Sequence, residues 1–117
     1  MNPADAWAFL PLGYLTTILI ETPVLLLFLA RRHRLGVRLF AGVWLTACTY
    51  PVVILVLPML FDPGNERFTY LLIAETFAPA AECTLFLAAF GRSTWRRDCA
   101  AVTAANLLSF GLGEWLF

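Results

Sequence analysis

Three glutamates interrupt otherwise apolar stretches of this chain, and they are the side chains best suited to chemistry. Glu75 and Glu82 lie within YLLIAETFAPAAECTLFLAAF (70–90), and Glu21 lies in a comparable stretch near the N-terminus. An ionised carboxylate at the centre of a membrane-spanning helix costs roughly 2.5–3.5 kcal/mol on insertion scales. Three of them should therefore face the protein interior, where oxygen ligands suit protons, hard cations or bound water.

Further polar residues are spaced so that they could join the glutamates. Each apolar stretch has one end near the arginines. By helical rise, four polar residues lie roughly 10–14 Å from that end, namely Glu21, Thr46, Glu82 and Asn106. Thr17, Thr49, Tyr50 and Glu75 lie further from it. Within each stretch the polar residues share one helical face. The sequence therefore predicts one ion- or solute-binding site, and its candidate residues are Glu21, Glu75, Glu82, Asn106, Thr46, Thr49, Tyr50 and Thr17.

Prolines inside the stretches would add oxygen acceptors to such a site. A proline in a helix leaves the carbonyl four residues earlier without its usual donor. Pro79 would free the carbonyl of Glu75, and Pro51 would free that of Ala47. Bending of the helices for packing is the alternative reading of these prolines.

The sequence contains none of the common catalytic or cofactor motifs. There is no H-E-x-x-H, G-x-S-x-G or C-x-x-C pattern and no glycine loop for phosphate. His33 is the single histidine, and we expect it to be a solvated residue of an arginine-rich connection. We predict no cofactor, and nothing identifies a metal. An enzyme using Glu75 and Glu82 as an acid–base pair is a weaker alternative.

The composition explains why the glutamates must be considered in a lipid setting. Of 117 residues, 61% are hydrophobic and only 14% are charged, whereas soluble domains carry about a quarter charged residues. A helix needs about 20 apolar residues to cross the hydrocarbon layer. We predict a single membrane domain, 1–117, folded as an all-α, antiparallel bundle of four transmembrane helices. Its spans are 7–30, 38–61, 68–90 and 99–117.

Arginines are distributed very unevenly between the three connections. Seven of the eight lie in or beside the first and third connections, and only Arg67 lies in the second. Because cytoplasmic loops are enriched in basic residues, we predict a multi-pass protein of a bacterial inner membrane. Both termini would lie outside, and the arginine-rich connections would lie in the cytoplasm. Glu114 is expected to be an interfacial charge outside the site.

The two halves of the chain resemble each other weakly. ETPVLLLFLARR (21–32) aligns with ECTLFLAAFGRS (82–93), and Thr49 then falls opposite Asn106 after a gap. If this is a repeat, two parallel-related helical hairpins would pair Glu21 with Glu82 across a central site. Chance similarity between apolar segments is the competing explanation.

Two functions are compatible with these patterns. In the first, the carboxylates bind or conduct a proton, a cation or a small polar solute, which requires a solvent path to them. In the second, the chain is an accessory or structural subunit of a larger membrane complex, and its polar residues only join helices. The partners expected are the lipid bilayer and either further copies or a larger membrane complex. The connections are too short for a nucleic-acid-binding module.

Overall fold

The computed structural model describes residues 3–62 and 64–116, and the regular secondary structure in these ranges is entirely helical. Helix α1 is Pro3–Phe28 and α2 is Leu35–Pro51. A π-helical turn, Val52–Val56, joins α2 to the short helix α3, Leu57–Leu60. Helix α4 is Arg67–Phe90 and α5 is Trp95–Leu116.

Four helical segments are long and apolar enough to cross a membrane. They are Ala4–Phe28, Leu35–Leu60, Arg67–Phe90 and Trp95–Leu116. This confirms the prediction of an all-α chain with four helices of membrane-spanning length. Most begin a few residues before the predicted spans, because helical hydrogen bonds continue through polar residues at which an apolar pattern stops. The end of the last predicted span, residue 117, lies outside the described residues.

The second spanning segment changes its helical winding between two prolines. Pro51 ends α2 and Pro58 lies in α3, and neither can donate a backbone hydrogen bond. Between them the backbone widens into the π-helical turn, whose closing N–H, from Leu57, donates to the carbonyl of Val52. Such turns within α-helices are frequent at functional sites.

Packing between the helices is uneven along their length. Helix α1 packs against α2 and α5, and α4 packs against the same two helices. The buried apolar core gathers at the end of these helices that carries the arginine-rich connections, with Leu25, Leu45, Phe86 and Val102 among its members. This end of the molecule is filled with side chains, whereas the opposite end is not.

A glycine allows α1 and α2 to approach each other closely. A Cβ atom added to Gly42 of α2 would collide with the side chain and backbone of Thr22 in α1. Residues larger than glycine at this position would push the two helices apart. The approach matters for the site because α1 and α2 both carry candidate residues immediately beyond it.

Candidate binding site

A cavity of about 390 Å³ lies between α1, α2, the π-helical turn, α4 and α5. It begins where the apolar core ends and extends toward the end of the molecule that carries Arg67. All the residues proposed from the sequence line it, although their role in binding stays a prediction. They are Glu21, Glu75, Glu82, Asn106, Thr46, Thr49, Tyr50 and Thr17.

Helix α4 provides a continuous wall of this cavity. The lining residues Arg67, Leu71, Ala74, Ala78 and Glu82 recur every three or four positions, so they lie on one helical face. The distance along the axis from Arg67 to Glu82 is about 22 Å by helical rise. The cavity therefore extends from the exposed start of α4 to the middle of the spanning segment.

The deepest part of the cavity contains two buried carboxyl groups on different helices. Glu21 of α1 and Glu82 of α4 are each only 2% exposed, and they lie near enough to interact electrostatically. Thr49 donates a hydrogen bond from Oγ1 to Glu82 Oε2 at 2.8 Å. Ser109 donates a longer one, 3.4 Å, to Glu21 Oε2. These bonds connect α2 to α4 and α5 to α1.

One carboxylate oxygen at this deep end lacks a partner. Glu21 Oε1 is buried and receives no hydrogen bond from the described residues. A buried acceptor without a donor costs roughly 1–3 kcal/mol, and more when it is charged. This atom is therefore the position in the cavity with the greatest need for a proton, a cation or a hydrogen-bond donor.

Two other candidate residues complete the polar wall, and one of them, Asn106, also lies within hydrogen-bonding reach of the Glu82 carboxyl group. Thr46 Oγ1 donates to the Gly42 carbonyl at 2.9 Å, and Asn106 Nδ2 donates to the Val102 carbonyl at 2.9 Å. Both bonds lie within one helix. Both residues are almost fully buried.

The wider part of the cavity is formed mainly by aromatic and aliphatic side chains. Glu75 and Tyr50, both half-buried, lie here with Phe9, Tyr70 and Phe110. The Tyr70 hydroxyl donates to the carbonyl of Val53 at 2.8 Å, which ties α4 to the π-helical turn. The turn therefore presents a backbone carbonyl to the site region, at Val53 and not at one of the carbonyls that the proline positions predicted.

Gly13 positions one of these aromatic rings. A Cβ atom at residue 13 would overlap the Tyr50 hydroxyl and contact the Phe9 ring. Because glycine has no Cβ, the Tyr50 hydroxyl can reach the backbone of α1. The role of Gly13 was not predictable from the sequence, since a glycine in an apolar helix gives no indication of which side chain will approach it.

An ion pair lies at the exposed end of the cavity. Arg67 at the start of α4 pairs with Glu114 near the end of α5, and both side chains are about half exposed. Both residues line the cavity. Glu114 is exposed, as expected of an interfacial charge, but it also lines the cavity, because the last turn of α5 folds beside the first turn of α4.

The expectation for His33 was wrong. It is 5% exposed, and its Nε2 lies 2.9 Å from Oδ2 of Asp98, which is fully buried. Asp98 also accepts hydrogen bonds from the Ala30 backbone N–H at 3.0 Å and from Thr94 Oγ1 at 2.6 Å. This cluster fastens the first connection to the start of α5, at the end of the molecule opposite the cavity mouth.

A usable sequence signal for that cluster existed. His33 is the single histidine, and Asp98 is the single acidic residue in either arginine-rich connection or at its edges. Because the other charged side chains of these connections are basic, Asp98 is the natural partner of His33, and its Oδ2 also lies 4.0 Å from Arg32 Nη2. Their burial depends on contacts with Phe86 and Phe90, whose rings lie 5.0 and 6.4 Å from the His33 ring.

The three glutamates do not converge on one point. Glu75 lies about two helical turns from Glu82 on the same helix, so it belongs to the wider part of the cavity. Among residues 3–62 and 64–116, no group of three or more His, Cys, Asp or Glu side chains is placed to hold a metal ion. The deep end is thus a pair of carboxyl groups with hydroxyl and amide neighbours.

Comparisons with protein-family models, with curated proteins and with solved structures found no match to this chain.

Proposed function

We propose that this protein is an antiparallel four-helix membrane bundle whose cavity binds or conducts a proton, a cation or a small polar solute. Glu21 and Glu82 are its principal ligands, and Glu75 lies on the path to them. The observation that carries this proposal is the unpartnered Glu21 Oε1 beside Glu82, at the end of a cavity that reaches the exposed Arg67–Glu114 pair.

Electrostatics favour a bound positive species at the deep end. Two carboxylates removed from water repel each other, and burial penalises each negative charge. No arginine lies deeper in the cavity lining than Arg67, which is already paired with Glu114. A proton or a cation held between Glu21 and Glu82 would offset the repulsion and satisfy the free oxygen.

The position of the apolar core favours access to the cavity from one end of the molecule. The apolar side chains around Phe86 and Leu45 close the arginine-rich end, whereas the cavity extends to the other end. With the arginines in the cytoplasm, the cavity would open outward, toward the periplasm of a bacterial inner membrane. Conduction would then require the core to rearrange, while binding from outside would not.

An accessory role in a larger membrane complex is the second candidate. Small residues suit close helix contacts in membranes, and Ala80, Ala100, Ala104 and Gly111 are exposed on α4 and α5. A purely structural role would be served best by a sealed core, however. The cavity leading to Glu82 therefore favours binding.

The proposal is tested by replacing the deep carboxyl groups in proteoliposomes. Glu21→Gln and Glu82→Gln keep the size of each side chain and remove its charge. Proton, sodium and potassium uptake and binding should fall at least about tenfold in each variant, the loss expected for a charge-assisted contact of about 1.5–3 kcal/mol. Glu66→Gln is the matched control, because Glu66 is exposed and does not line the cavity.

Equal behaviour of wild type, Glu21→Gln and Glu82→Gln for every one of these ions would contradict the proposal and favour the accessory role. Helix content and thermal unfolding of each variant, followed by circular dichroism, separate loss of binding from loss of folding.

A further inference from the structure

We infer that the ligand of this cavity is a small primary ammonium compound with an apolar, preferably aromatic, body. This inference rests on the proposed function and makes it more specific. The ammonium group would occupy the deep end between Glu21 and Glu82, and the apolar body would lie in the wider part of the cavity. Three features of the cavity support this choice over a bare ion.

The first feature is the volume of the cavity. At about 390 Å³, the cavity equals the volume that about a dozen water molecules occupy in liquid water. Pockets for small organic molecules begin at about 300 Å³. A bare proton or alkali cation would use only the deepest part and leave the rest without a role.

The second feature is the division of the lining into a polar end and an apolar body. Carboxyl, hydroxyl and amide groups gather at the level of Glu21, Glu82 and Asn106, whereas most of the remaining wall is hydrocarbon or aromatic. This wall includes Phe9, Ile20, Val53, Leu71, Tyr50 and Phe110. Pockets of this kind bind organic molecules through apolar contacts and orient them by a few polar groups. Aromatic rings also attract organic cations.

The third feature is the need for hydrogen-bond donors. Glu21 Oε1 is buried without a donor among the described residues, whereas Glu82 accepts from Thr49 and has the Asn106 amide within hydrogen-bonding reach. A primary ammonium group carries one positive charge and three N–H donors, so it would satisfy both the charge and the free acceptor. A quaternary ammonium group would satisfy only the charge.

The mouth of the cavity is compatible with the passage of a cation. Arg67 by itself would repel a positive ligand, but its pairing with Glu114 offsets its charge. Glu75, about two turns further in than Arg67 on the same helix, then provides the next negative group on the path to Glu82.

Equilibrium dialysis with the full-length protein in nanodiscs tests this inference. Three probes share one aromatic body: 2-phenylethylammonium, its trimethylated quaternary form, and neutral 2-phenylethanol. The primary ammonium should bind at least about tenfold more tightly than the other two, because it alone makes charge-assisted hydrogen bonds. Empty nanodiscs measure partition of each probe into lipid.

Variants then locate the bound probe. Glu21→Gln and Glu82→Gln should weaken the binding of 2-phenylethylammonium at least about tenfold, whereas Glu66→Gln should leave its binding unchanged. Ala78 lines the cavity one turn from Glu82. Ala78→Leu should therefore exclude the aromatic body and weaken 2-phenylethylammonium, while binding of methylammonium stays within about twofold. Circular dichroism establishes that each variant is folded.

The outcomes separate this inference from the proposed function. If proton or sodium binding depends on Glu21 and Glu82 but 2-phenylethylammonium binds no more tightly than 2-phenylethanol, the inference is overturned and the proposed function stands. If no probe and no ion binds, both are overturned. Binding of 2-phenylethylammonium that is unaffected by both glutamine variants would be partition into lipid and would also overturn the inference.

Discussion

At the scale of single residues, two threonines on one helix have different structural roles. Thr49 Oγ1 lies 2.8 Å from Glu82 Oε2 of α4 as well as 3.1 Å from the carbonyl of Leu45 in its own helix, whereas Thr46 Oγ1 donates to the carbonyl of Gly42 in its own helix. Both are buried to nearly the same extent. The pair therefore allows the contribution of one interhelical hydrogen bond to be measured against a close internal control.

We predict that Thr49→Val lowers the free energy of unfolding by about 0.6–1.7 kcal/mol, the range measured for polar contacts between membrane helices. Thr46→Val should change it by less than about 0.5 kcal/mol, because only a bond within one helix is lost. Reversible unfolding in mixed micelles, followed by circular dichroism, gives both values.

A double-mutant cycle identifies the partner of Thr49. Combined with Glu82→Gln, Thr49→Val should show a coupling energy of about 0.5 kcal/mol or more, since residues that share a hydrogen bond are not additive. Additive effects would mean that the hydroxyl does not stabilise the protein through Glu82.

The depth of the polar residues in the cavity was predictable from the sequence, whereas the burial of His33 at the opposite end was not. Helical rise converts sequence position into depth, and this sufficed to group Glu21, Glu82 and Asn106 at one level. Depth says nothing about a connection, where the backbone has no fixed rise. Hence the burial of His33 against Asp98, which depends on how two connections fold over the core, could not be obtained from spacing.

At the scale of helices, the contact between α1 and α2 depends on the absence of one atom. A Cβ atom at Gly42 would meet Thr22 within α1, whereas a Cβ atom at Gly36, on the same helix, would meet nothing within 4 Å. The two glycines therefore separate the effect of packing from the effect of helix propensity.

Gly42→Ala should destabilise the protein by about 1–3 kcal/mol, the usual cost of overpacking a filled interface. Gly36→Ala should be neutral or stabilising by up to about 1 kcal/mol, because alanine favours the helix. Thermal unfolding of the two variants under identical detergent conditions measures the difference. If Gly42→Ala were as stable as Gly36→Ala, α1 and α2 would not approach as closely as described here.

The helices themselves were easier to predict than their details. The length of the apolar segments was enough to predict four membrane-length helices, because about 20 consecutive apolar residues are what a helix needs to cross the hydrocarbon layer. The change to π-helical winding at Val52–Val56 was not predictable, although Pro51 and Pro58 indicated that donors would be missing there. How a helix accommodates a missing donor depends on its neighbours, here the hydroxyl of Tyr70.

At the scale of the whole molecule, the two ends of the helices differ in construction. One end combines the arginine-rich connections, the His33–Asp98 contact and the apolar core. The other carries the Arg67–Glu114 pair and the open part of the cavity. This polarity suits a site that communicates with one side of a membrane, and it makes the orientation of the chain decisive for function.

The similarity between the two halves of the chain can be compared with the packing of the helices. Exchange of α1 with α4 and of α2 with α5 would preserve which helices contact each other, and it would exchange Glu21 with Glu82. The π-helical turn has no counterpart in α5, which is a continuous α-helix over Trp95–Leu116. The halves therefore differ beside the site, at the turn that Tyr70 contacts, and a repeat relationship stays a prediction.

The last prediction concerns orientation. Seven arginines at one end and Arg67 at the other should place the arginine-rich end in the cytoplasm. A C-terminal fusion to alkaline phosphatase, which is active only outside the cytoplasm, should therefore be active in bacterial cells. A C-terminal fusion to green fluorescent protein, which matures in the cytoplasm, should be dark.

The basis of that orientation can be tested by moving the charges. Replacing Arg31, Arg34, Arg92 and Arg96 by asparagine, with arginines introduced at Asn65 and Thr69, leaves three arginines at each end. The preference for one orientation should then be lost and both fusions should show partial activity, since the difference in arginine content sets the direction of insertion. None of the replaced arginines lines the cavity. If the unmodified chain gave an inactive phosphatase fusion and a fluorescent fusion to green fluorescent protein, the cavity would open toward the cytoplasm. Its ligand would then have to be sought there.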